Sequence, residues 1–143
     1  MRVDLRANSS DISVINVYLP NGQFSVKEWD KVLATLPSKF IIIGDFNCHN
    51  PAWGSSRLSA GNRVLLEWCN NNLCILNTGK PTHVSSGEIE SCIDIALCSA
   101  ERYGQLKWQV SPNPFSRDQY PIKIRLISDN NSPAAGKENN CSL

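Results

Sequence analysis

Two short runs constrain this chain most. Ile12–Tyr18 and Lys39–Gly44 place β-branched or aromatic side chains at positions that would face both ways from a strand. A strand of that kind must be covered on two sides, which calls for a layered architecture and not a sheet with one wet face. Between them lies a helix signal. Ser25 and Glu28 have capping-box spacing, Phe24 and Trp29 have the spacing of a hydrophobic staple, and Trp29, Val32, Leu33 and Leu36 form one apolar stripe that Pro37 ends. Arg63 to Asn70 predicts a second helix with Val64, Leu65 and Trp68 inward. Leu73 to Leu76 predicts a short strand. His83-Val84 and Ser91 to Cys98 predict strands paired around Ser86-Gly87, and Lys107 to Val110 and Tyr120 to Ile127 predict the last two. Strands alternate with helices early and neighbour one another later, the pattern of an α/β layered sandwich with a mixed sheet.

At 143 residues, the chain has room for one core. Residues 1–127 carry it, while 128–143 hold Asn, Ser, Pro, Gly and Lys with little to bury and are expected to form a disordered tail. No apolar run approaches the roughly 20 residues of a membrane helix, and the N-terminus lacks the apolar stretch of a signal peptide. The expectation is a soluble intracellular chain. A formal charge of +1 argues against a static nucleic-acid coat or a polybasic membrane binder. It is compatible with a metal-dependent enzyme acting on phosphates, because the metal supplies the local positive charge. The six cysteines form no C-x-x-C pair, as expected of reduced thiols, and Cys48-His49 beside Asp45 lacks the paired ligand spacing of a zinc site.

Polar residues gather at strand ends. Tyr18 closes the first strand, Asp45-Phe46-Asn47 follows the second, Asp94 lies in Ile93-Asp94-Ile95, and Asp118-Gln119 precedes the last. Three carboxylates and an amide on one rim suit a hard cation with oxygen ligands.

These residues carry a resemblance. Val17-Tyr18-Leu19-Pro20, Ile43-Gly44-Asp45-Phe46-Asn47, Ser91-Cys92-Ile93-Asp94 and Asp118-Gln119-Tyr120-Pro121-Ile122, in this order, resemble the endonuclease/exonuclease/phosphatase superfamily, whose fold is DNase I-like. Asn47 to Gly54, Gly61-Asn62-Arg63 and Leu76 to His83 narrow it to the endonuclease domain of jockey-type non-LTR retrotransposons. The resemblance spans about Ser13 to Ile127. Each segment alone is a weak signal; together and in order they are specific.

The resemblance implies roles. Tyr18 would hydrogen-bond the scissile phosphate, and Asp45 would orient or deprotonate the attacking water. Asn47 would hold that aspartate and touch the phosphate, and Asp94 would position the family's histidine. Asp118, with Asp45 and Asn47, would hold magnesium, with manganese as an alternative ion. DNA is the implied partner, a reverse transcriptase domain follows in cis in the parent element, and the implied compartment is the nucleus.

Two departures qualify this. Gln119 stands where the family has its catalytic histidine, and an amide donates a hydrogen bond but holds neither a proton nor a positive charge near pH 7. The family's metal-anchoring glutamate precedes the tyrosine strand, whereas only eleven residues precede Ile12, so an N-terminally truncated domain is expected. The reading is therefore a magnesium-dependent DNA endonuclease that nicks target DNA, impaired here by Gln119 and by truncation. The alternative is an inactive retrotransposon-derived remnant that binds DNA or a protein. Phosphoinositide, sphingomyelin or poly(A) substrates fit the retrotransposon-like segments less well. Trp53, in a loop beside the site, is the candidate for stacking on a base, while Trp68 and Trp108 are expected in the core.

Overall fold

The described elements are, in chain order, β1 (Arg2–Ala7), β2 (Ser10–Tyr18), α1 (Val26–Leu33), β3 (Phe40–Asp45), α2 (Asn62–Asn72), β4 (Cys74–Ile75), β5 (His83–Val84), β6 (Glu90–Ser91), β7 (Asp94–Cys98), β8 (Leu106–Val110) and β9 (Ile122–Leu126). They come from a computed structural model that describes residues 2–7, 10–58, 62–85, 89–114 and 118–127. The expected tail, the Ser86-Gly87 turn and Gly61 lie outside the described residues. Among the described residues no helix is long and apolar enough to cross a membrane.

β2 and β3 run parallel, in register from Ser13↔Phe40 to Tyr18↔Asp45, with α1 as the crossover between them. β7 adds antiparallel to the other side of β3, and the five-stranded sheet has the order β1-β2-β3-β7-β4. Its strand β1, antiparallel to β2, was not anticipated from the sequence. β5 pairs with β6 and β8 with β9 in two separate ribbons.

Strand alternation divides the core. On one face Ile15, Phe40, Ile42, Ile95 and Leu97 pack with Trp29 of α1 and Leu65 and Trp68 of α2. On the other, Ile41, Ala96 and Cys98 meet Leu106 and Trp108 of β8, with Ile122 and Ile124 of β9 packed against them. This two-sided cover is what the apolar runs require.

Local departures have physical reasons. Ser25 is the N-cap of α1, but its side chain makes no capping bond; Phe24 and Trp29 do meet, with ring centroids 5.7 Å apart. Trp29 and Trp68 lie edge-on at 5.6 Å, and the Trp68 indole donates to Asp30 Oδ1 at 2.8 Å. Val64 is exposed, not inward: Leu65, Trp68 and Cys69 form the buried i, i+3, i+4 stripe, and Val64 stands a residue out of phase with it. The strand expected over Ser91 to Cys98 is broken at Cys92-Ile93, where Ser55 Oγ donates to the Cys92 carbonyl and accepts from its N–H, at 2.8 and 3.2 Å. That clamp separates the short ribbon from the main sheet.

Gly44 has no room for a side chain. A Cβ there would lie 1.9 Å from the Val17 carbonyl oxygen, at a φ of +153°. Gly44→Ala should therefore force β2 and β3 apart and cost more than about 4 kcal/mol, a loss typical of severe core disruption. Urea unfolding measures this; a loss under about 1 kcal/mol would show that the two strands are not so closely apposed.

Candidate functional site at the ends of three strands

Register builds the centre of the site. Tyr18 pairs with Asp45 and Asp45 with Asp94, so the three residues form one row across β2, β3 and β7. Alternation puts Asp45 on the face of Ile41 and Ile43, and Asp94 on that of Ala96 and Cys98, away from the helices. Tyr18 is 69% exposed, so its ring stands out from the strand end. Asp45 and Asp94 are half-buried.

Asn47 closes the row. It adopts a left-handed conformation (φ 48°), which asparagine tolerates better than most residues. Its backbone N–H donates to Asp45 Oδ1 at 2.9 Å, and its Nδ2 donates to the Leu19 carbonyl at 3.2 Å. The Leu19 N–H in turn donates to the Asp45 carbonyl at 2.9 Å. The turn thus fixes one carboxylate oxygen of Asp45 and ties the ends of β2 and β3 together.

Asp94 is held from behind by two residues that sequence reasoning missed. Thr82 is fully buried, and its Oγ1 accepts from the N–H groups of Ile93 and Asp94, at 3.3 and 3.2 Å. Asn77 donates Nδ2 to the Asp94 carbonyl at 2.9 Å and accepts from the Ala96 N–H at 2.8 Å. Both lie in the Leu76 to His83 segment that carries the resemblance, but nothing in that segment points to these bonds. Burial raises the proton affinity of the Asp94 carboxyl, a Thr82 hydrogen bond opposes this, the Asp45 charge adds to it, and His83 opposes it.

Backbone pairing sets Asp118 and Gln119 beside β5. The Val84 N–H donates to the Asp118 carbonyl at 2.8 Å, the Tyr120 N–H to the Thr82 carbonyl at 2.9 Å, and Gln119 forms an isolated antiparallel bridge with His83. Both side chains are exposed. The segment bearing Gln119 thus lies against Thr82 and His83, the residues that act on Asp94.

One sequence expectation changes here. Trp53 is fully buried and donates its indole N–H to the Cys48 carbonyl at 2.9 Å, so it anchors the loop and has no face free for a base. Cys48 is also fully buried, and burial, with the Asp45 charge, pushes its thiol up to about 11. It is a packed thiol, as the missing zinc spacing implies.

Among the described residues no three His, Cys, Asp or Glu side chains gather as a ready-made metal cage. Magnesium needs only one or two carboxylates, with water and substrate phosphate completing its shell. Asp45, with Asn47 beside it at the end of β3, fits an ion shared with a phosphate and not a standing protein cage.

Residues 12–123 match the family described as Endonuclease-reverse transcriptase. The chain belongs to this family. It is 34% identical over 127 residues to the RNA-directed DNA polymerase from mobile element jockey of Drosophila funebris, covering 87% of the chain and 14% of that protein. The corresponding Drosophila melanogaster protein is 30% identical over 125 residues, 85% of the chain and again 14% of the relative. The chain thus spans about one seventh of these relatives. Among solved structures, the endonuclease domain of TRAS1, a telomere-specific non-LTR retrotransposon, superposes with a TM-score of 0.75 at 20% identity, over 88% of this chain and 60% of that one. The 3'-5' exonuclease NExo of Neisseria meningitidis gives 0.61 at 18% identity, over 82% and 62%. The fold is that of the endonuclease/exonuclease/phosphatase (DNase I-like) type.

The raised Asp94 gives a pH test. The folded protein binds this proton more tightly than the unfolded chain, whose reference value is 3.8. The stability this proton linkage contributes is present below that value and is lost as pH rises through the folded one. Asp94→Asn removes the buried charge and should melt above the unmodified chain at pH 7, with the gap shrinking toward pH 3. Equal melting temperatures at pH 7 would show that the ionised carboxylate costs the fold nothing.

Proposed function

We propose that this chain is a DNA endonuclease domain that nicks target DNA by magnesium-dependent phosphodiester hydrolysis, with turnover lowered by Gln119. The observation that carries this reading is the in-register row Tyr18–Asp45–Asp94, with Asn47 clasped to Asp45. Family membership supports it. Target DNA, a reverse transcriptase domain in the parent element and action in the nucleus belong to the same reading.

In this mechanism Asp45 accepts a hydrogen bond from the attacking water and takes its proton as the oxygen closes on phosphorus. The Asn47 N–H keeps Asp45 Oδ1 in place, so the other oxygen serves the water. The exposed Tyr18 hydroxyl donates to a non-bridging phosphate oxygen, where charge builds up. The bond to the leaving oxygen breaks, and that oxygen is protonated by solvent. Magnesium, held by Asp45, Asp118 and Asn47 and by the phosphate itself, would neutralise part of the charge on the phosphoryl oxygens.

Gln119 is the weak point. Its amide donates to a phosphate oxygen but brings no positive charge, and removing one transition-state donor typically costs about 10²–10³ in rate. The same residue favours the second reading, a retrotransposon-derived remnant that binds DNA without turnover.

Conversion of supercoiled to nicked plasmid tests both. The unmodified chain should nick slowly and only with magnesium or manganese. Gln119→His should raise the rate by about ten-fold or more, and Asp45→Ala should bring either form to background. Background nicking by both the chain and Gln119→His would favour the remnant; equal, robust nicking by the two would remove the proposed impairment.

A further inference from the structure

Beside the row lies a cavity of about 230 Å³ to which Asn47 contributes a wall. His49, Arg57, His83 and Ser91 line it, and Glu90 lines it at an exposed position. The nitrogen-bearing side chains come from separate parts of the chain. His49 and Arg57 lie in the loop after β3, and His83 lies on β5. Two of these positions are fixed by the fold. His83 Nδ1 is 3.3 Å from Ser91 Oγ, which leaves Nε2 as the other polar atom of the ring. The buried Asn62 donates to the His49 carbonyl at 2.9 Å and pins that loop against the start of α2.

The three basic groups line one cavity from separate parts of the chain. A planar guanidinium with imidazole N–H groups matches the oxygens of a phosphodiester. Size narrows the ligand. The cavity is smaller than the roughly 300–1,000 Å³ of sites that enclose whole small molecules, so it suits a phosphate group with part of its sugar.

We propose that this cavity is a subsite for a second phosphodiester of the DNA strand being cleaved, reached across Asn47 from Asp45. His49, Arg57 and His83 donate to its oxygens. The subsite sets the register of the strand, so that the neighbouring phosphate falls on the row. Glu90 at the edge disfavours phosphates that approach from its side. This inference rests on the DNA-nuclease reading.

The test is fluorescence anisotropy of a labelled DNA duplex titrated with the full chain, without divalent metal so that hydrolysis does not intrude. Neutralising one phosphate contributes about 0.9 to the slope of log affinity against log salt. Arg57→Ala/His83→Ala should flatten that slope by about one and weaken binding about ten-fold at low salt. Arg57→Ala alone, at an exposed position where folding is not at stake, should flatten it in part. Glu90→Gln should tighten binding.

An unchanged slope in both Arg57 variants would overturn the proposal. So would a melting-temperature rise with inorganic phosphate that the double variant loses, if the DNA slope stayed unchanged, since the cavity would then take free phosphate. A chain that shows the pocket-dependent slope but never nicks would sink the hydrolysis reading and keep the subsite. A chain that nicks with its slope unchanged in the variants would do the reverse.

Discussion

The parallel pairing of β2 with β3 is the contact on which the rest depends. It brings Tyr18 level with Asp45, and continuing the register through β7 brings Asp94 level with both. Because side chains alternate, a slip of one residue would move every member of the row to the opposite face. Two features hold this register. The apolar residues of β3 are committed to two different cores, Phe40 and Ile42 to the helices and Ile41 and Ile43 to the β8–β9 ribbon. Gly44 lets the Val17 carbonyl approach where a side chain would block it. The packing that stabilises the domain is therefore also what aligns its polar residues.

Fold and site conflict at Asp94. A carboxylate at the end of a buried strand, beside another carboxylate, is electrostatically unfavourable, and Thr82 and Asn77 are arranged to hold its backbone regardless. A neutral residue at this position would leave the fold more stable. Asn47 is similar on a smaller scale, a non-glycine residue in left-handed backbone that gives its N–H to the Asp45 carboxylate.

Much of this was legible in the sequence, for identifiable reasons. β2, β3 and both helices were visible because burial on two faces and on one stripe leaves clear periodicity at Ile12–Tyr18, Phe40–Gly44 and Trp29–Leu36. The row was legible because strand ends present polar residues to a common rim, and the motifs around Tyr18, Asp45 and Asp94 fixed which ones. β1 was not; Arg2–Ala7 mixes charged and apolar residues and pairs with β2. The break at Cys92-Ile93 depends on Ser55, far away in sequence. The bonds of Thr82 and Asn77 were illegible for the same reason, because they join segments 11 to 19 residues apart and leave no local spacing. Trp53 looked like a loop residue free to stack, and only the folded loop shows its indole turned inward to Cys48.

The central claim is that Tyr18 and Asp45 act on one phosphate because register makes them neighbours. A double-mutant cycle measures this most directly, using plasmid-nicking rates for Tyr18→Phe, Asp45→Asn and the pair, in a chain carrying Gln119→His to widen the measurable range. Groups that stabilise one transition state together lose rate non-additively, so the double variant should be little slower than the worse single one. Losses that multiply in full would contradict the account and show that the two residues, though adjacent in the sheet, do not serve one reacting centre.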